Sequence, residues 1–170
     1  MRCKAMRMVA YNAAAWHEFF TGAIGASAAL TGLLFVAISI NLDQILKFPQ
    51  LPGRAAGTLG TLLASLAVSG FVLAPGQNHR VLGWEIIAAG VVVAIQALWV
   101  TLAKRTSDQK VTWILAHLTS LFLPALAFIV GGVSIVAKSG GGLYWILAAT
   151  LLVFVLSSLN AWVLLVEIKR

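Results

Sequence analysis

The chain has 170 residues, 61% hydrophobic and 10% charged, with a net charge of +7, whereas an ordinary soluble domain is about half apolar and roughly a quarter charged. So few charges cannot clothe a water-facing surface, which excludes that class and leaves lipid covering most of the outside. The twelve Lys and Arg residues stand singly or in pairs between apolar runs, which suits contact with anionic headgroups and gives no basic face for nucleic acid.

Residues 1–18 begin like a secretory signal, with Arg2, Lys4 and Arg7 ahead of a mildly apolar patch. Tyr11, Asn12, His17 and Glu18 interrupt that patch, so the first spanning run is expected to serve as an uncleaved insertion signal. Cys3 is the only cysteine and offers neither an intrachain disulfide nor a thiolate pair for a metal.

A spanning helix needs about 20 apolar residues, each adding about 1.5 Å toward a hydrocarbon core about 30 Å thick. Five stretches qualify, and the expected fold is an all-α polytopic transmembrane bundle forming a single domain, with spans near 19–42, 55–74, 84–103, 111–137 and 143–166. The connectors carry turn residues or charge: Phe48-Pro49-Gln50-Leu51-Pro52-Gly53, Pro75-Gly76, Lys104 to Lys110, and Ser139-Gly140-Gly141-Gly142. The last is so short that the final two spans should form an antiparallel hairpin; a broken or re-entrant element there would leave four spans. Trp16, Trp84, Trp113 and Trp145 lie near run starts and Trp99 and Trp162 near run ends, where an indole meets the headgroup layer.

Orientation follows from basic residues in the flanks. The N-terminal side carries Arg2, Lys4, Arg7, Arg80 and Lys138, and the other side Lys47, Arg54, Lys104, Arg105, Lys110, Lys169 and Arg170. Starting at Met8 instead would remove the first three. The expectation is an external N-terminus and a cytoplasmic C-terminus.

In lipid, helices associate by close packing and polar contacts, so small residues mark the seams. At about 100° per residue, Thr21, Gly25, Ala28, Gly32 and Ser39 form one stripe on the first helix, which Asn41 and Asp43 continue toward its end. Leu30, Leu34 and Ala37 fall opposite. Gly57, Gly60, Ala64 and Ala67 form a second seam, expected to face the first, while Gly90, Ala94, Ala97 and Gly131-Gly132 offer further close approaches. Two readings of the first stripe stay open, a packing seam and a polar-lined path along Thr21, Ser39 and Asn41.

Polar groups inside a bilayer are functional candidates by default, and here Gln96, His117 and Asn160 stand out. Interhelical hydrogen bonding accounts for Gln96 and for Asn160 with Ser157 and Ser158. His117 lies near enough to an interface to sense protons. Pro124 removes an intrahelical bond and should kink its helix, with the Ser120 hydroxyl or a neighbouring helix satisfying the freed carbonyl.

His17-Glu18-Phe19-Phe20-Thr21 begins like a zinc-protease signature, but Thr21 stands where the second histidine is needed. No phosphate loop, nucleophile elbow or carboxylate pair within one span occurs, so the expectation is a protein that is not an enzyme and needs no cofactor or metal.

Trp16-His17-Glu18-Phe19-Phe20, the run Gly25 to Ala37, Leu51-Pro52-Gly53-Arg54-Ala55 and Pro75-Gly76-Gln77 together resemble a family of small bacterial multi-pass membrane proteins of uncharacterised activity. That resemblance covers roughly the N-terminal half and implies a bacterial plasma membrane, with a regulatory role toward a membrane-anchored protease as one possibility. Ser27 to Asp43 also resembles the pore-lining first helix of the Orai calcium channels. Aligned on Leu42-Asp43, Ser39 stands where that family has its selectivity glutamate, so calcium selectivity is not implied. The expected partners are the lipid bilayer and either further copies of the chain or a larger membrane protein. The function expected is noncatalytic assembly, and the alternative is a homo-oligomeric ion channel or pore lined by the first helix. A transporter would need matching halves, which five spans supply only as a dual-topology dimer.

Overall fold

A computed structural model describes residues 9–48, 51–102 and 111–166, with side chains placed over 9–48, 51–100 and 121–163. After a 3-10 turn at Ala13–Trp16, the helices are α1 (His17–Ile40), α2 (Leu42–Lys47), α3 (Leu51–Leu73), α4 (His79–Leu102), α5 (Val111–Ala137) and α6 (Leu143–Val166). No strand occurs among the described residues. The fold is an all-α bundle, as its uncharged runs require. Among the described residues, four stretches are long and apolar enough to cross a bilayer, Ala13–Ile40, Leu51–Leu73, His79–Val100 and Leu143–Val163, and a shorter apolar stretch, Leu121–Ala137, lies within α5.

Several ends differ from the sequence expectation. α3 begins at Leu51, ahead of Pro52 and Gly53, because a proline in the first helical turn removes an N–H that has no helical partner anyway. α4 begins at His79, where the Asn78 side-chain oxygen accepts from the Arg80 backbone N–H at 3.1 Å, so Trp84 and Glu85 lie inside the helix. The first span is divided at Asn41, after which α2 forms a separate turn.

α5 runs unbroken through Pro124, which is buried. It ends at Lys138, whose φ of 51° is left-handed, while the Ser139 N–H bonds to Ser134 O at 3.1 Å. The turn into α6 needs positive φ at Gly140, Gly141 and Gly142, a conformation that glycine adopts without strain. Ser134 holds it: its hydroxyl donates to Ser139 O and accepts from the Gly142 N–H at 2.7 Å.

Residues 9–16 cover this turn. Ala10 O accepts from the Leu143 N–H at 2.9 Å, and the Tyr11 hydroxyl accepts from the Gly141 N–H at 3.1 Å. Trp16 then meets Tyr144 edge to face with centroids 4.8 Å apart. The molecule therefore has a Tyr11 end, shared with Pro75-Gly76 and the α5–α6 turn, and an Arg54 end.

α3 is the central helix, packed against α1, α4 and α6. α4 lies along α5, and α6 closes the bundle against α5 and α1. Phe20, Leu34, Leu62, Val68, Ile86, Phe128, Ile146 and Val153 are fully buried at these junctions. Apolar side chains gain little by leaving lipid for protein, so close backbone approach and polar contacts fix the packing. α4 and α5 show the first: a Cβ on Gly83 would lie 2.9 Å from Gly132 O, and one on Gly132 would lie 2.7 Å from Gly83 O.

Candidate functional site

The central helix α3 presents two rows of small residues about a third of a turn apart. Thr58, Thr61, Ser65 and Ser69 are all buried and face α1 and α6. On the α1 side, the Ser27 hydroxyl donates to Ser65 Oγ at 3.3 Å. On the α6 side, the Asn160 amide donates to Thr58 Oγ1 at 3.1 Å. The Asn160 carbonyl oxygen accepts from Arg54 Nε at 2.9 Å and from Arg54 Nη2 at 2.7 Å. Charge-assisted bonds of this kind are the stronger ones, and they lock α6 to the start of α3.

The hydroxyls of the row mostly return to their own helix. Thr58 donates to Arg54 O, Thr61 to Thr58 O and Ser69 to Ser65 O, at 2.8 to 2.9 Å. Ser157 and Thr150 on α6 are also buried, and the Thr150 hydroxyl has no hydrogen-bond partner among the described residues. The row makes a polar, packed helix junction.

The glycine row of α3 points elsewhere. A Cβ on Gly60 would run into the Gln96 amide of α4, and one on Gly57 would lie 3.3 Å from Leu121 of α5. Gln96 Nε2 donates to Ala56 O at 2.9 Å. The expected meeting of this row with the stripe of α1 is corrected: it faces α4 and α5, and α1 meets the hydroxyl row instead.

The α1 stripe faces outward. Thr21, Gly25, Ala28, Gly32 and Ser39 are exposed, and nothing lies within 4 Å of a Cβ built on Gly22, Gly25 or Gly32. α1 packs inward through Phe20, Ala23, Ser27, Leu34 and Ala37, so the side opposite the stripe, which holds Leu34 and Ala37, meets protein. Thr21 and Ser39 donate to His17 O and Phe35 O, four residues earlier.

Asn41 does not continue the stripe. It is only 3% exposed, and its amide donates to Ala37 O at 3.1 Å; four residues after Ala37, it falls on the Leu34 and Ala37 side of the helix at about 100° per residue. Asp43 is exposed on α2. His117 lies on α5, with its side chain outside the described residues. Away from the stripe, an apolar groove of about 380 Å3 opens between α1 and α6, lined by Leu30, Leu33, Ile40, Leu62, Ser157 and Trp162 among others.

Sequence reasoning passed over Arg54 and the hydroxyl row. The available signal was the spacing of Thr58, Thr61, Ser65 and Ser69 at three, four and four residues, which keeps one helix face. Among the described residues, no group of three or more His, Cys, Asp or Glu side chains is placed to hold a metal ion. Compared with known protein families, curated proteins and solved structures, the chain matches none.

Proposed function

We propose that this membrane-embedded bundle is a noncatalytic protein that works by assembly, with α1 as the surface on which a second copy of the chain packs. One observation carries the reading: small residues are spent on a face that none of the described residues uses. Gly60, Gly83, Gly90, Gly131 and Gly132 each allow a neighbour to approach closely, whereas no described atom lies within 4 Å of a Cβ built on Gly22, Gly25 or Gly32. Each glycine costs about 1 kcal/mol of helix propensity relative to alanine, and in lipid a stripe of small residues gains that back when another helix settles on it.

Phe35, exposed on α1, flanks the stripe and gives a second copy a bulky side chain to pack against. Copies related by a two-fold axis would exchange such contacts reciprocally. The setting we propose is a bacterial plasma membrane, with the Tyr11 end outside. A larger membrane protein, such as a membrane-anchored protease, is the other partner this surface would suit.

The test is the mass of the full chain in native lipid, before and after Gly25→Leu with Gly32→Leu. Loss of an oligomer in the variant is expected, and a chain that is monomeric throughout, or an oligomer that both leucines leave intact, overturns the reading.

A pore is the second reading, favoured by the exposure of Thr21, Ser39 and Asp43. Ion flux through purified homo-oligomers in vesicles, reduced by Ser39→Leu and by Asp43→Asn, supports it; no flux, or flux indifferent to both, counts against it.

A further inference from the structure

Among the described residues, four tryptophans stand on the outside of the bundle, two on α4 and two on α6. Trp84 is 63% exposed, Trp99 71%, Trp145 42% and Trp162 62%. Interhelical contacts fix their relative depths. At the Tyr11 end, the adjacent residues Gly131 and Gly132 of α5 serve as a common mark. A Cβ on Gly131 would lie 3.1 Å from Trp145 Cβ, and one on Gly132 would lie 2.7 Å from the backbone oxygen of Gly83, the residue before Trp84. Trp84 and Trp145 therefore lie at one level.

At the Arg54 end, the mark is the first turns of α3. Gln96 of α4 bonds to Ala56 O, and Asn160 of α6 bonds to Thr58 Oγ1. Trp99 is one turn past Gln96 and Trp162 half a turn past Asn160, so these two also share a level.

The interval from Trp84 to Trp99 corresponds to roughly 22 Å of helix rise, and that from Trp145 to Trp162 to roughly 25 Å. Between them the outward residues are apolar or small: Val91, Val92, Ile95 and Leu98 on α4, and Leu151, Val155, Ser158 and Leu159 on α6. The Ser158 hydroxyl is satisfied by Phe154 O. Between Glu85 and Lys104 the sequence carries no charged residue.

Indoles settle at the headgroup level, where the ring is accommodated and its N–H is hydrogen-bonded. Two planes of indoles bracket the hydrocarbon they fit, and any tilt of the helices shortens the distance across it. A typical hydrocarbon core is about 30 Å thick. We propose that this protein is matched to a thinner bilayer, with a hydrocarbon core of about 22–25 Å, and that Trp84, Trp145, Trp99 and Trp162 form the two girdles that set the match. In a thicker bilayer these girdles lie below the headgroups unless the lipid thins around them, which costs free energy for every ångström of mismatch.

The full chain is reconstituted in phosphatidylcholine vesicles whose monounsaturated acyl chains have fourteen, eighteen or twenty-two carbons, and the midpoint of thermal unfolding is read in each. The midpoint should be highest in the fourteen-carbon lipid and lower by roughly 3–6 °C in the eighteen-carbon lipid. Trp99→Leu with Trp162→Leu, both on the outer surface, should flatten this dependence. A midpoint that is highest in the longer lipids, equal in all three, or graded identically in the double variant overturns the proposal. Should the double variant not fold, fluorescence of the unaltered chain decides. In the fourteen-carbon vesicles, bromine near the headgroup end of the acyl chain must quench the indoles more than bromine at the methyl end, and the reverse order overturns the match.

Discussion

The side-chain amide of Gln96 occupies the space that a side chain on Gly60 would need, so the missing methyl group on α3 and the polar group on α4 form one joint. Gly60→Ala should push the amide off Ala56 O and cost roughly 1–2 kcal/mol. Gln96→Ala alone should cost less, and the two changes together less than their sum, because the second removes the clash created by the first. Unfolding midpoints of the four members of this cycle check the coupling, and strict additivity would show that the joint does not exist.

Asn160→Ala removes the acceptor shared by two Arg54 N–H groups and the donor to Thr58. A loss of roughly 1.5–3 kcal/mol is expected, as for hydrogen bonds to a charged group. Asn160→Asp keeps an acceptor for Arg54 and should retain more stability than alanine does. Denaturation in mixed micelles ranks the three proteins.

Glycines on α4 and α1 should answer alanine in opposite directions. Gly83→Ala places a methyl group 2.9 Å from Gly132 O and should destabilise by roughly 1–3 kcal/mol, since the α4 and α5 backbones must separate. Gly22→Ala meets nothing within 4 Å and should leave the isolated bundle unchanged or more stable by up to about 1 kcal/mol. Thermal unfolding of the monomer in detergent distinguishes them; equal losses would contradict the outward orientation of α1.

In the α5–α6 turn, Ser134→Ala deletes the acceptor for the Gly142 N–H and the donor to Ser139 O. The cost should be roughly 1–3 kcal/mol, because a donor in a buried contact is left unsatisfied. Faster hydrogen exchange at Gly142 than in the parent protein is the local readout.

The helical class was legible because charge and proline interrupt uncharged runs, and the medium leaves such runs no other way to satisfy their backbones. Element ends were less so. Pro52 looked like a terminator, yet a first-turn proline is compatible with a helix, and His79 and Arg80 looked like connector although Asn78 caps a helix containing them.

At the site, the stripe of Thr21, Gly25, Ala28, Gly32 and Ser39 was legible as one face, but its direction was not. In water the buried face of a helix is the oily one; in lipid both faces are oily, so periodicity identifies a face without saying where it points. Gln96 and Asn160 stood out by polarity, whereas Arg54 was assigned to a flank by its charge even though its guanidinium reaches Asn160. Asn41 was grouped with the stripe by its polarity, although a position four residues after Ala37 belongs to the inward side of the helix.

The hydrogen bonds from Leu143 to Ala10 and from Gly141 to Tyr11 have a temporal consequence. Translation delivers residues 9–16 before the hairpin of α5 and α6, so this clasp must wait, open, while everything between is synthesised and inserted. The bundle can be sealed at that end only after α5 and α6 have entered the membrane. Until then, the amide groups of the closing turn must find other company.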